Sequence, residues 1–120
     1  MSGKFCVSLT CAKNDCDKAT VAFVVANAAA ASEKETLVFL SIEAVRLSQN
    51  GYADDVHVEG FAPLKDLMAN FVKAGGKIWV CSPCFKKRAL DEAQLVPGAT
   101  IVGGAKLVEF LSTGTPCVSY

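Results

Sequence analysis

The chain has 120 residues, 52% of them hydrophobic, with twelve lysines plus arginines against twelve aspartates plus glutamates. That length and apolar share suit a single domain spanning residues 1–120 with its own core. The balanced charge excludes a global basic field for nucleic acid, so any anion site has to be local. Residues 1–4 run straight into a strand-like segment with no signal-peptide apolar region. The apolar run 19–31 is too short for a bilayer and is interrupted by Thr20 and Asn27. A soluble, cytoplasmic protein is expected, with no membrane partner. Six cysteines in a reducing compartment point to redox, metal or sulfur chemistry before structural disulfides.

Residues 4–10 predict a first strand, in which Phe5, Val7 and Leu9 alternate with smaller side chains. A polar loop carrying Cys11 and Cys16 follows, with Asp15 or Asp17 placed to cap a helix over residues 18–32. That helix is alanine-rich and apolar nearly all round, so it is covered on more than one side, by the fold or by another subunit. Residues 36–42 predict a buried strand, apolar except for Ser41, as in a parallel sheet covered on both faces. Glu43 falls at its carboxyl end, before a short helix at 44–47 and a turn-rich segment.

Residues 53–59, with the lone histidine His57, are expected to form an exposed connection. The best amphipathic helix covers 61–74, where Phe61, Leu64, Leu67, Met68, Phe71 and Val72 keep a three-to-four spacing. Gly75-Gly76 ends it, and a strand over 77–80 carries Trp79, expected in the core or at a subunit interface. A short helix at 85–90, a further turn at 91–94 and a turn at Pro97-Gly98 come next. Then follow a strand at 100–102, a tight turn at Gly103-Gly104 and a helix at 105–111 with Leu107, Val108 and Leu111 inward. A fifth strand at 115–120 closes the chain. Alternating strands and helices predict a mainly parallel five-stranded sheet with helices on both faces.

The chemistry concentrates at Val80-Cys81-Ser82-Pro83-Cys84. A strand delivers Cys81 to its carboxyl end, Ser82 can cap a helix, and Pro83 suits its first turn. That position favours ligand binding and a thiolate, helped by the helix dipole and by Lys86, Lys87 or Arg88. A solvated helix face is an equally good account of two of those three cations. Cys84 could resolve a product formed on Cys81, so a Cys81/Cys84 dithiol redox protein is one reading. A second reading joins Cys11 and Cys16 to Cys81 and Cys84 in a four-thiolate site for zinc or an iron–sulfur cluster, provided that their strands are neighbours. Cys6 and Cys117, inside the first and last strands, are expected to be buried core residues. No glycine-rich phosphate turn and no Ser-His-Asp arrangement stands out, so no nucleotide cofactor is expected.

Several stretches, in this order and spacing, resemble the DsrE/DsrF-like sulfur-relay family. They are the first strand, polar loop and alanine-rich helix; Leu37-Val38-Phe39-Leu40-Ser41-Ile42-Glu43-Ala44-Val45; and Gly60-Phe61-Ala62-Pro63-Leu64-Lys65-Asp66-Leu67. Ala74-Gly75-Gly76-Lys77-Ile78-Trp79-Val80-Cys81 and Gly98-Ala99-Thr100-Ile101-Val102-Gly103 complete the set. The resemblance implies a three-layer α/β/α flavodoxin-like domain that forms homo-oligomers, often trimers or hexamers. It also implies a sulfur carrier or sulfurtransferase that accepts sulfur as a persulfide on Cys81. Such a carrier relays the sulfur between sulfur-donor and sulfur-acceptor proteins or small sulfur compounds. The resemblance gives no support to the four-thiolate site, and Cys84 lies outside the sulfur-carrier pattern.

Overall fold

The computed structural model describes residues 3–120. Strands β1 (Lys4–Leu9), β2 (Glu35–Leu40), β3 (Lys77–Cys81), β4 (Ala99–Val102) and β5 (Cys117–Ser119) alternate with four helices. These are α1 (Cys16–Ala31), α2 (Leu64–Lys73), α3 (Ser82–Lys87) and α4 (Gly104–Leu111). Neighbouring strands all run parallel, in the order β4-β3-β2-β1-β5. Three crossovers step outward from β1 to β4, so right-handedness keeps α1, α2 and α3 on one face. The return from β4 to β5 passes over the other face and places α4 there.

The side chains agree. Phe23 of α1, Met68 and Phe71 of α2 and Phe85 of α3 share a core with Val7, Val38, Ile78 and Val80. On the opposite face Phe110 of α4 packs with Cys6 and Leu37, with Trp79, Leu107 and Leu111 alongside. The three-layer α/β/α architecture is therefore the one expected, although its strand order is not the 2-1-3-4-5 of flavodoxin itself. β2 is central, and its residues after Glu35 are all buried, as two covered faces require.

Asp15 is the cap of α1, accepting the Lys18 N–H at 3.1 Å. The fold itself covers this helix on two sides, against the sheet and against α2. Phe23 meets Phe71 edge-to-face with centroids 5.9 Å apart, and Asn27 Nδ2 donates to the Leu67 carbonyl at 3.0 Å. α2 starts later than its apolar spacing predicts, at Leu64 behind Pro63, and leaves Phe61 outside and exposed. Gly75, at φ 94°, ends it in the left-handed region. A side chain on Gly76 would run into the Phe71 ring.

Two expectations are corrected. β2 stops at Leu40, and Ile42, expected inside the strand, sits at φ 55° with half its surface exposed. On α4 the inward stripe is Leu107, Phe110 and Leu111, spaced by three and four. Val108 falls on the outer side and is 65% exposed. Among the described residues no helix is long and apolar enough to cross a membrane.

Candidate functional site

Cys81 ends β3 and is itself the N-cap residue of α3, with Ser82 and Pro83 already inside the first turn. Ser82 is thus not the cap its hydroxyl suggested, and no side-chain capping bond forms. Val102 is the register partner of Cys81 on β4. From this pair the chain leaves on opposite faces, through α3 after β3 and through α4 after β4. Parting of adjacent carboxyl ends is what opens a ligand crevice in an α/β sheet. Cys81 stands where these two carboxyl ends part, partly exposed, as is Cys84.

Charge reaches the Cys81–Cys84 pair through Arg88, at the end of α3. Its Nε donates to Glu43 Oε2 at 2.7 Å and its Nη1 to the Cys84 carbonyl at 3.2 Å. The Arg88 side chain is only 12% exposed, whereas Lys86 and Lys87 are solvated. One cation of the three is therefore built into the site. Glu43 lies in the 3-10 turn Ile42–Ser48 after β2 and also accepts Arg46 Nε at 2.9 Å. Arg88, followed by Arg46, holds the Glu43 carboxyl below its ordinary range.

The thiol does not behave as the helix-dipole argument anticipated. Burial, chiefly, raises the Cys81 pKa above its ordinary value, and the neighbouring Cys84 thiol adds to the rise. The Cys84 backbone N–H pulls the other way, and Arg88 does so more weakly. Desolvation outweighs the pull of the Cys84 N–H and Arg88.

The loop cysteines stay apart from this pair. β2 lies between β1 and β3, so the neighbouring strands that a four-thiol site needs are not neighbours. Cys11 contacts the Thr10 hydroxyl at 3.7 Å, and Cys16 points its thiol at the Lys13 carbonyl at 3.8 Å. Among the described residues no three His, Cys, Asp or Glu side chains are grouped to hold a metal ion. The structure thus brings Cys81 and Cys84 together and does not bring Cys11 and Cys16 to them.

His57 is exposed, as expected, with Nε2 donating to the Phe61 carbonyl at 2.8 Å. Trp79 is partly buried, edge-to-face on Phe110 with centroids 5.5 Å apart. Cys6 is buried, but Cys117 is exposed, against expectation, because β5 is a three-residue edge strand. An apolar cavity of about 310 Å³ opens between α2, the turns after β2 and the approach to β4, over Leu47, Met68, Val72 and Ile78. No cysteine lines it.

Comparison with known proteins gives the setting. The ychN protein of E. coli superposes with a TM-score of 0.83 over 100% of both chains at 16% identity. A protein of unknown function from Bacteroides thetaiotaomicron, BT1422, gives 0.71 at 18% identity, covering 98% of this chain and 94% of its own. At such identities these likenesses show the fold. In sequence the chain is 28% identical over 103 residues to the uncharacterized protein MJ0760 of Methanocaldococcus jannaschii. The match covers 86% of this chain and 38% of that relative, so the chain spans well under half of its length. The model of the DsrE/DsrF-like family matches residues 4–119, and the chain belongs to that family.

Proposed function

We propose that this protein is a sulfur carrier that accepts sulfur as a persulfide on Cys81 and relays it between donor and acceptor proteins or small sulfur compounds. One observation carries the reading: a partly exposed Cys81 at the parting ends of β3 and β4, beside a second thiol and a fixed guanidinium. Family membership supports sulfur chemistry in general. In loading, the deprotonated Cys81 sulfur attacks the outer sulfur of a donor persulfide. A new S–S bond forms, the donor's S–S bond breaks, and the donor leaves as a thiolate that takes up a proton. In unloading, an acceptor thiolate attacks that outer sulfur and Cys81 is the leaving group.

Burial suits the carrier state, since the added sulfur moves the charge one atom outward from the desolvated Cys81 position. Arg88, whose charge already acts on Cys81, is the cation to receive it. Homo-oligomers, as trimers or hexamers, belong to the same proposal. The exposed Val108 on α4, the helix that covers the second sheet face, supports such contacts. The test is intact mass after incubation of the reduced protein with glutathione persulfide. A gain of one sulfur that Cys81→Ser abolishes is expected; an unchanged mass, or labelling that survives the substitution, overturns the reading.

A second reading rests on the influence of the Cys84 thiol on Cys81. Cys84 could attack the inner sulfur of the persulfide and release hydrogen sulfide, leaving a Cys81–Cys84 disulfide.

A further inference from the structure

Cys6 and Cys117 form a second pair of thiols that the Cys81 chemistry does not use. They are register partners on the adjacent parallel strands β1 and β5. Partners in a parallel ladder point to the same face, here that of α4, where Cys6 packs with Leu37 and Phe110. Backbone bonds fix this register on both sides. Cys6 N–H donates to the Pro116 carbonyl at 3.0 Å, and Tyr120 N–H donates to the Ser8 carbonyl at 2.8 Å. Neighbouring strands lie about 4.8 Å apart, within the Cα separation of about 4.4–6.8 Å that a disulfide spans.

The two thiols differ in access. Cys6 has no exposed surface, while Cys117 lies open on the edge strand. Both are free. Burial, mainly, pushes the Cys6 thiol up to about 12, and the Cys117 thiol beside it pushes in the same direction. The accessible sulfur is therefore the attacking one and the buried sulfur the resolving one.

We propose that Cys117 and Cys6 are a redox-modification site, at which a small-molecule disulfide closes an intramolecular Cys6–Cys117 bond that fastens β5 to β1. The Cys117 thiolate attacks one sulfur of the oxidant, whose S–S bond breaks and whose first half leaves as a thiolate. The Cys6 thiol then gives up its proton, and its sulfur attacks the Cys117 sulfur of the mixed disulfide, expelling the second half. Two protein thiols lose two electrons and two protons, and the oxidant becomes two thiols. The product ties down the shortest strand, whose register otherwise rests on a few backbone bonds, as edge strands of this length do.

Wild-type protein and the double variant Cys81→Ser/Cys84→Ser are incubated with glutathione disulfide, alkylated and digested without reduction. In both, a peptide joining Cys6 to Cys117 is expected, at a mass lower by two hydrogens than its separate halves. Cys117→Ser should abolish it, and oxidation should slow amide exchange at Tyr120. A glutathione adduct that stays on Cys117, a Cys117–Cys117 dimer, or oxidation confined to Cys81 and Cys84 would each overturn the proposal. The outcome is independent of persulfide formation on Cys81, which the double variant cannot carry.

Discussion

Glu43 holds Arg88 through Oε2 at 2.7 Å, joining the turn after β2 to the end of α3. The guanidinium, anchored again on the Cys84 carbonyl, cannot swing away from the thiols without breaking both bonds. Glu43→Gln keeps the shape and removes the charge that orients Arg88. Sulfur loading of Cys81 should then slow about tenfold, the worth of one charge-assisted hydrogen bond. Arg88→Lys should behave similarly, because an ammonium cannot serve both partners in fork geometry. Loading rates followed by mass spectrometry check this; unchanged rates in both variants would leave Arg88 a purely structural residue.

The same pair sets an acid limit. Arg88 and Arg46 hold the Glu43 carboxyl below its ordinary value, so its contribution is present above the usual carboxylate range. It is lost as pH falls through the depressed value. Wild type should lose stability more steeply than Glu43→Gln on acidification below about pH 4.5. Denaturant midpoints across that range measure the difference.

Cys81 titrates in the opposite sense. Its pKa is raised by burial and by the Cys84 thiol, whereas the Cys84 N–H lowers it. Cys84→Ala removes the raising thiol and keeps the lowering N–H. The variant should alkylate faster at neutral pH, with its rate–pH profile displaced towards lower pH. Iodoacetamide kinetics on Cys81 provide the measurement, and a displacement upward would contradict this account of the site.

Much of this was readable from residue order alone. Residues 37–40 announce a central strand by being apolar without alternation, and Gly75-Gly76 announces the end of α2. Cys81 declares itself by following an apolar run and preceding Ser82-Pro83. The lateral order of strands is different: nothing local tells β1 that its other neighbour is β5. For that reason the Cys6–Cys117 contact and the separation of Cys11 from Cys81 could not be read. Glu43 was visible as a strand-end carboxylate, but its partner lies 45 positions away and shares no sequence pattern with it. Val108 was misplaced because a short helix has several apolar stripes, and only the position of Phe110 against Cys6 and Leu37 selects one.

Ile42 marks a local conflict. A β-branched residue at φ 55° is strained, and half its side chain gains no burial in return. Asparagine tolerates that backbone, so Ile42→Asn should stabilise the fold by about 1 kcal/mol. Thermal or denaturant unfolding checks it. A loss of stability would mean that Ile42 is covered in the working assembly.

Cys6 predicts an alkaline limit. Its pKa is raised from 9.0 to about 12. The stabilisation is therefore complete below about pH 9 and is lost as pH climbs through 12, up to a few kcal/mol. Cys6→Ala should be less stable at neutral pH, through the small cavity, yet should show a flatter loss between pH 9 and 12. Urea midpoints against pH separate the two effects.

Site-resolved mass spectrometry tests persulfide loading of Cys81 most directly. Reduced protein is loaded with glutathione persulfide, trapped with an alkylating agent and mapped peptide by peptide. One additional sulfur is expected on the peptide carrying Cys81, absent in Cys81→Ser and retained in Cys84→Ala. Extra sulfur on Cys11, Cys16 or Cys117 with none on Cys81 would contradict it.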